Sequence, residues 1–162
     1  MGKAADTHMG VVAAMVRSSF LVNAVYAETS RGYGITAQQG QLLCVLMVQP
    51  YGMSELGSML GLAKSSLTGL VDRTAQRGLV HREADPSDGR AIRVAHTEEG
   101  ARLADAFYAE TCRRVETLTA SLTDTERGRL ADLLGRVVLD NEVPVVFLEL
   151  DESSPAAGSA GS

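Results

Sequence analysis

The sequence predicts a mainly α fold of the α+β class: a winged helix-turn-helix with a two-stranded wing, and long helices at either end. Three observations predict it. Two short amphipathic helical patterns flank Gly61-Leu62-Ala63, a connection of the length that joins two helices at a steep angle. Two β-rich runs, residues 79–83 and 91–96, enclose the turn-forming stretch Asp85-Pro86-Ser87-Asp88-Gly89-Arg90. Long stretches of helical apolar periodicity precede and follow this block.

Along the chain, residues 1–7 lack apolar periodicity and read as frayed. A helix is expected over about residues 7–29, where Val11, Val12, Met15, Ser18, Ser19, Val22, Val25 and Tyr26 recur on one side. Arg31-Gly32-Tyr33-Gly34 reads as a loop. Thr36-Ala37-Gln38-Gln39 has the Thr-x-x-Gln form of a capping box, opening a helix through about residue 48 that supplies Leu42, Leu43, Val45, Leu46 and Met47 to a core. Pro50 and Gly52 close it.

The next helix is expected to start at Ser54, whose hydroxyl takes an orphan backbone N–H, and to place Leu56, Met59 and Leu60 on one face. Gly61 ends it in the left-handed conformation at little cost. A second helix follows over about residues 64–77, with Leu67, Leu70 and Val71 as its buried stripe. Lys64, Ser65, Ser66, Thr68, Gly69, Asp72 and Arg73 lie off that stripe, and most are short. Short hydroxyl residues let a backbone approach a duplex, where they bond phosphate oxygens or base edges. At about 1.5 Å per residue this helix is about 20 Å long, enough to lie in a major groove about 12 Å wide. Gly78 stops it. Arg90, at the tip of the hairpin or just past it, is placed to enter an adjacent minor groove. The plainer alternatives are a core helix with a solvated polar face and a solvated loop arginine.

After the wing, Thr97 starts a helix of about 25 residues by its apolar period, with Ala101, Ala104, Phe107 or Tyr108, Thr111, Val115, Leu118 and Leu122 along one side. Thr123-Asp124-Thr125-Glu126 is a second capping box, opening a helix through about residue 141 that carries Leu130, Leu133, Leu134, Val137 and Val138. The two are expected to form an antiparallel pair. Together with the first helix they present more apolar surface than a small winged helix needs, which implies a homodimer. Residues 143–150 are too apolar to stand free and are expected to pack on the dimer helices, whereas residues 151–162 are expected to be disordered. The expected organisation is therefore residues 1–34 as an N-terminal dimerisation helix, 35–97 as the DNA-binding unit, 98–150 as C-terminal dimerisation helices with an apolar extension, and 151–162 as a tail.

A chain of 162 residues, 45% apolar, accommodates one domain with a real core. No run of 18 or more apolar residues and no export signal is present, so neither a membrane nor secretion is expected. Cys44 and Cys112 then read as reduced thiols in the cytoplasm. The net charge of −5 counts against nucleic acid, but its distribution does not: residues 1–63 are neutral, 64–93 carry +2 and 94–162 carry −7. Doubled in a dimer, with Lys64, Arg73, Arg77, Arg90 and Arg93 on one surface, that charge suffices for phosphate contacts.

The ordered series SSLTGLVDR, GLV, DPSDGR and AHTEEG resembles the MarR family of bacterial winged-helix regulators, with Ala95 and His96 where an apolar residue and Leu are more usual. The resemblance covers residues 52–100. It implies that the second helix reads the major groove through Lys64, Ser65, Ser66, Thr68 and Arg73, and that Arg90 reaches the minor groove with Asp88 buttressing it. It also implies a homodimeric, ligand-responsive regulator, a repressor, on the double-stranded DNA of a palindromic operator. Regulators of this family often respond to small aromatic or phenolic acids in a cleft between the dimer helices and the winged unit. Arg17 is then the candidate carboxylate partner, by its bidentate guanidinium, followed by Tyr26, His8, Tyr108 and Arg113. A snorkelled surface arginine is the competing reading of Arg17.

Cys44 sits among apolar neighbours and reads as a small buried hydrophobe; Cys112 precedes Arg113 and Arg114, which favour a thiolate, but a structural residue is the preferred reading there too. A thiol-based redox regulator is thus one alternative function; a winged-helix protein-interaction module without DNA binding is another. His8, His81 and His96 have no Cys or His at ligand spacing, so no metal is expected. No phosphate loop, G-x-S-x-G or His-Glu metal motif occurs, and neither an enzyme nor a cofactor is expected.

Overall fold

A computed structural model describes residues 9–143. The expectations for residues 1–7, for His8, for most of the 143–150 segment and for the 151–162 tail fall outside those residues. Six helices and three strands run in the order α1 (Val11–Gly32), α2 (Ala37–Leu46), β1 (Tyr51–Gly52), α3 (Met53–Leu60), α4 (Lys64–Gln76), β2 (Val80–Ala84), β3 (Ile92–His96), α5 (Glu98–Thr117) and α6 (Asp124–Leu139) among the described residues.

α2 is the centre of the core. Leu42, Leu43, Cys44, Val45 and Leu46 are all buried on it, so this helix is enclosed nearly all round. Leu56 of α3, Leu67, Leu70 and Val71 of α4, Val80 and Val94 of the sheet, and Phe107 of α5 close over it. The α4 stripe is the one its spacing predicts, with Thr74 added, whose hydroxyl is satisfied by the Leu70 carbonyl at 2.7 Å. Each large apolar side chain buried here stabilises the fold by about 1.5–3 kcal/mol. Phe107 sits between two tyrosines, with ring centroids 5.9 Å from Tyr26 and 6.1 Å from Tyr33.

Both capping boxes form. Thr36 accepts the Gln39 N–H at 3.1 Å while the Gln39 side chain takes the Thr36 N–H at 3.0 Å, and Thr123 and Glu126 repeat the exchange. Thr97 caps α5 through the Gly100 N–H and donates to the Gly78 carbonyl at 2.5 Å, tying the start of α5 to the end of α4.

Five expectations are corrected. α3 starts at Met53, not Ser54: the Gly52 N–H donates to the Glu55 carboxylate at 3.0 Å, so the cap comes from within the helix. The sheet has a third strand, since Tyr51 and Gly52 pair antiparallel with Val94 and Arg93 in the order β1-β3-β2. The Pro-and-Gly boundary that ends α2 hid it, being only two residues long. α1 continues to Gly32, through half of the expected loop, and α5 stops at Thr117, short of its expected length. Finally, α5 and α6 do not form a packed pair. Among the described residues α6 buries none of its own side chains and packs extensively on no other element, although its capping and apolar stripe are as expected.

α1 is, by length and composition alone, apolar enough to cross a bilayer, although Arg17, Ser18, Ser19 and Asn23 interrupt its apolar run.

Candidate nucleic-acid interface

Gly61 adopts φ 63° at the end of α3, and the Leu62 N–H returns to the Gly57 carbonyl at 3.0 Å, so α4 leaves at a new angle. Ala63, the residue before α4, offers no side-chain oxygen to the first-turn N–H groups. Those donors therefore suit an anion, and the exposed Lys64, Ser65 and Ser66 surround them. One turn on, the Thr68 hydroxyl donates to the Lys64 carbonyl at 2.8 Å, leaving its lone pairs outward. Arg73 is exposed, and its guanidinium folds back over Gly69, where any Cβ would stand 3.0 Å from Nη1. Lys64, Ser65, Ser66, Thr68 and Arg73 thus all lie off the buried stripe of Leu67, Leu70, Val71 and Thr74. Asp72 has a structural role, pairing with Arg82 at 2.7 Å to hold α4 against β2.

β2 and β3 pair in the register Val80↔His96 through Ala84↔Ile92, which fixes the direction of the hairpin tip. The tip is built from carboxylates. Asp85 accepts both the Ser87 hydroxyl at 2.7 Å and the Ser87 N–H at 2.8 Å, which hold its carboxyl below the usual range. Asp88 accepts the Arg90 N–H at 3.1 Å. The buttress under Arg90 is therefore made through its backbone, and its exposed guanidinium has no partner among the described residues.

Two cations expected on the same surface are otherwise engaged. Arg93 stands opposite Glu83 in the register and pairs with it at 2.5 Å, while His81 bonds the same carboxylate at 3.0 Å. The Arg93 bond first, then His81, lowers the Glu83 pKa. Arg77 donates to the Gly34 carbonyl at 2.5 Å, pinning the loop between α1 and α2. The expected group of five cations divides into Lys64, Arg73 and Arg90, without internal ion pairs among the described residues, and Arg77 and Arg93, which serve the fold.

The ligand candidates also divide. Tyr26 and Tyr108 line one cleft of about 320 Å³ between α1 and α5, with Val22, Thr111, Val115 and Glu116. Arg17 is elsewhere, in a hollow on α1 with Met9, Ala14, Ser18 and Leu21, and Arg113 is engaged by Glu110 at 2.7 Å. Neither arginine reaches the tyrosines' cleft. Thr111 and Glu116 were missed, because in the sequence they are two more positions on an amphipathic helix. Cys112 lines the same cleft, while Cys44 lies buried in the core with its thiol pushed up to about 12 by burial and then by Cys112. Burial, and next these two thiols, also push the Tyr26 phenol up. His96 joins β3 to α2, its Nε2 standing 2.9 Å from the Leu43 carbonyl, and burial lowers its pKa against the opposing effects of that bond and Asp105. No group of three or more His, Cys, Asp or Glu is positioned for a metal among the described residues.

A helix with a bare, hydroxyl-rich N-terminus beside an arginine-tipped hairpin defines a winged helix-turn-helix DNA-binding protein. Residues 33–91 match the model of the MarR family. The transcriptional repressor NicR of Pseudomonas putida is 29% identical over 120 residues, spanning 74% of this chain and 76% of that protein. The crystal structure of apo MarR from E. coli superposes with a TM-score of 0.71 at 25% identity, covering 80% of this chain and 98% of that one. CouR from Rhodococcus jostii RHA1, bound to p-coumaroyl-CoA, gives a TM-score of 0.71 at 26% identity over 87% and 99% of the two chains. This chain is a winged-helix DNA-binding transcriptional regulator similar to those of the MarR family, whose model it matches over residues 33–91.

Proposed function

We propose that the chain is a homodimeric repressor of a palindromic operator, released from DNA by a small effector. Residues 35–97 are the reading head. The first turn of α4 meets the major groove, with Lys64 and Arg73 on phosphates and Ser65, Ser66 and Thr68 on phosphates or base edges. Arg90 enters the flanking minor groove. Arg77 and Arg93 contribute to the field around the site while holding the loop and the wing in place. The exposed apolar stripes of α1 and α6 join two copies, and the half-sites then lie about one DNA turn apart, roughly 34–36 Å. On this reading the apolar length of α1 serves another helix, not a membrane, and the protein works in the cytoplasm with the chromosome.

The observation that carries this reading is the state of Arg90. Its neighbours Asp85, Ser87, Asp88 and Arg93 are held by internal bonds, and its guanidinium alone is presented outward. The cleft holding Tyr26 and Tyr108 supports the effector half of the proposal, as do solved relatives such as CouR with its bound p-coumaroyl-CoA.

The test begins with selection of bound fragments from genomic or random DNA. On the operator so obtained, Arg90→Ala is expected to weaken binding by about 1–3 kcal/mol, measured by fluorescence anisotropy at fixed salt, with the melting temperature unchanged. An affinity equal to that of the parent removes the wing from the reading.

A further inference from the structure

The cleft between α1 and α5 has a charge character that selects its ligand. Tyr26 comes from one helix and Tyr108 from the other, and Glu116 is the one ionisable carboxylate or base in its lining among the described residues. The arginines nearest to it in sequence are committed elsewhere: Arg113 to Glu110, and Arg114 to Glu110 and Glu28 at 2.6 and 2.8 Å. Thr111 is fully buried and also lines the cleft, yet its Oγ1 has no hydrogen-bond partner among the described residues. A buried hydroxyl in that state is incomplete without a further polar group. A volume of about 320 Å³ holds one aromatic ring with a short side chain.

Each of these features discriminates in the same direction. The face of a phenol ring attracts a cation and repels an anion. The Glu116 carboxylate, exposed at the rim of the cleft, does the same through its charge. A carboxylic acid placed here meets Glu116 with no lining cation to offset the repulsion.

We propose that this cleft binds a small ring-bearing ammonium ion, its ring between Tyr26 and Tyr108 and its charged nitrogen toward Glu116 and the Thr111 hydroxyl. The proposal deepens the effector reading above and rests on that reading only for its consequence on DNA. It replaces the aromatic acid that the sequence leads one to expect, because Arg17, the guanidinium an acid requires, faces a different hollow.

Isothermal titration of the full chain without DNA tests it, using 2-phenylethylammonium chloride and, separately, sodium 3-phenylpropanoate, which differ chiefly in the sign of their charge. The amine is expected to bind at least about tenfold more tightly than the acid. Glu116→Gln is expected to lower the amine affinity about tenfold, and Thr111→Val about threefold, with both variants melting as the parent does. The proposal is overturned if the acid binds as tightly as the amine, if neither probe binds at millimolar concentration, or if Glu116→Gln leaves the amine affinity unchanged. Because DNA is absent from the titration, failure of the operator reading registers separately, as a selection that returns no bound fragment.

Discussion

Gly100 decides how closely α5 approaches the winged unit. A Cβ there would stand 1.7 Å from the Leu79 carbonyl oxygen, a backbone atom that has no room to move because Thr97 N–H bonds the same oxygen at 3.1 Å. Gly100→Ala is therefore expected to destabilise the protein by about 3 kcal/mol, as a strained, overpacked core does. Urea unfolding followed by circular dichroism measures it, and a change below about 0.5 kcal/mol, the range of an ordinary surface substitution, would remove the argument. Gly40 does the same for Phe107, whose ring would lie 2.4 Å from an added Cβ. Residue types were legible where local chemistry alone sets the role, as with Thr36, Thr97 and Thr123. They were not legible where a distant partner sets it. Arg90 and Arg93 are the same residue three positions apart, and only the strand register shows that Arg93 is neutralised by Glu83 while Arg90 is not.

Helices α1 and α5 meet along a seam that includes an ion-pair cluster at its solvent edge. Arg114 bridges Glu28 of α1 and Glu110 of α5, and Glu110 also holds Arg113. Arg113 first, and Arg114 next, lower the Glu110 pKa from its ordinary 4.5 to about 2. A carboxyl depressed on folding contributes stability that is fully present above its unfolded value and is lost as pH falls through its folded value. The contribution of Glu110 is thus lost between pH 4.5 and about 2. Glu110→Gln is expected to flatten the fall in melting temperature across that window, measured by circular dichroism at a series of pH values. A variant that parallels the parent there would show the cluster to be without effect on stability. The helices themselves were legible to within a few residues at most ends, because apolar spacing, capping boxes and glycine stops are local signals. β1 was not, since two residues have no periodicity and acquire their state only by pairing with β3.

At the scale of the molecule the unusual feature is a helix with no interior side. Leu133, Leu134, Val137 and Val138 of α6 are exposed, as are Val11, Val12, Val16 and Phe20 of α1. An apolar area of that extent marks an association surface. Leu134→Glu is expected to convert a dimer to monomers in sedimentation velocity and to weaken operator binding by about 10²–10⁴-fold, because the second half-site no longer binds as part of one molecule. Its circular dichroism should match that of the parent, since among the described residues α6 has no buried side chain. A variant that remains dimeric would place the subunit contact elsewhere.

The order of the helices, the α4 stripe, the wing with its carboxylate-rich turn and the family resemblance follow from the sequence by itself, because each rests on contacts between residues a few positions apart or on an ordered series of such motifs. Which arginines face outward and which side chains share a cleft were decided only by the tertiary structure. Those properties arise from pairs such as Arg77 with Gly34, or Arg114 with Glu28, whose separation in the chain leaves no periodic trace. Electrostatic selectivity depends on distance in space, and a sequence specifies that distance only after it has folded.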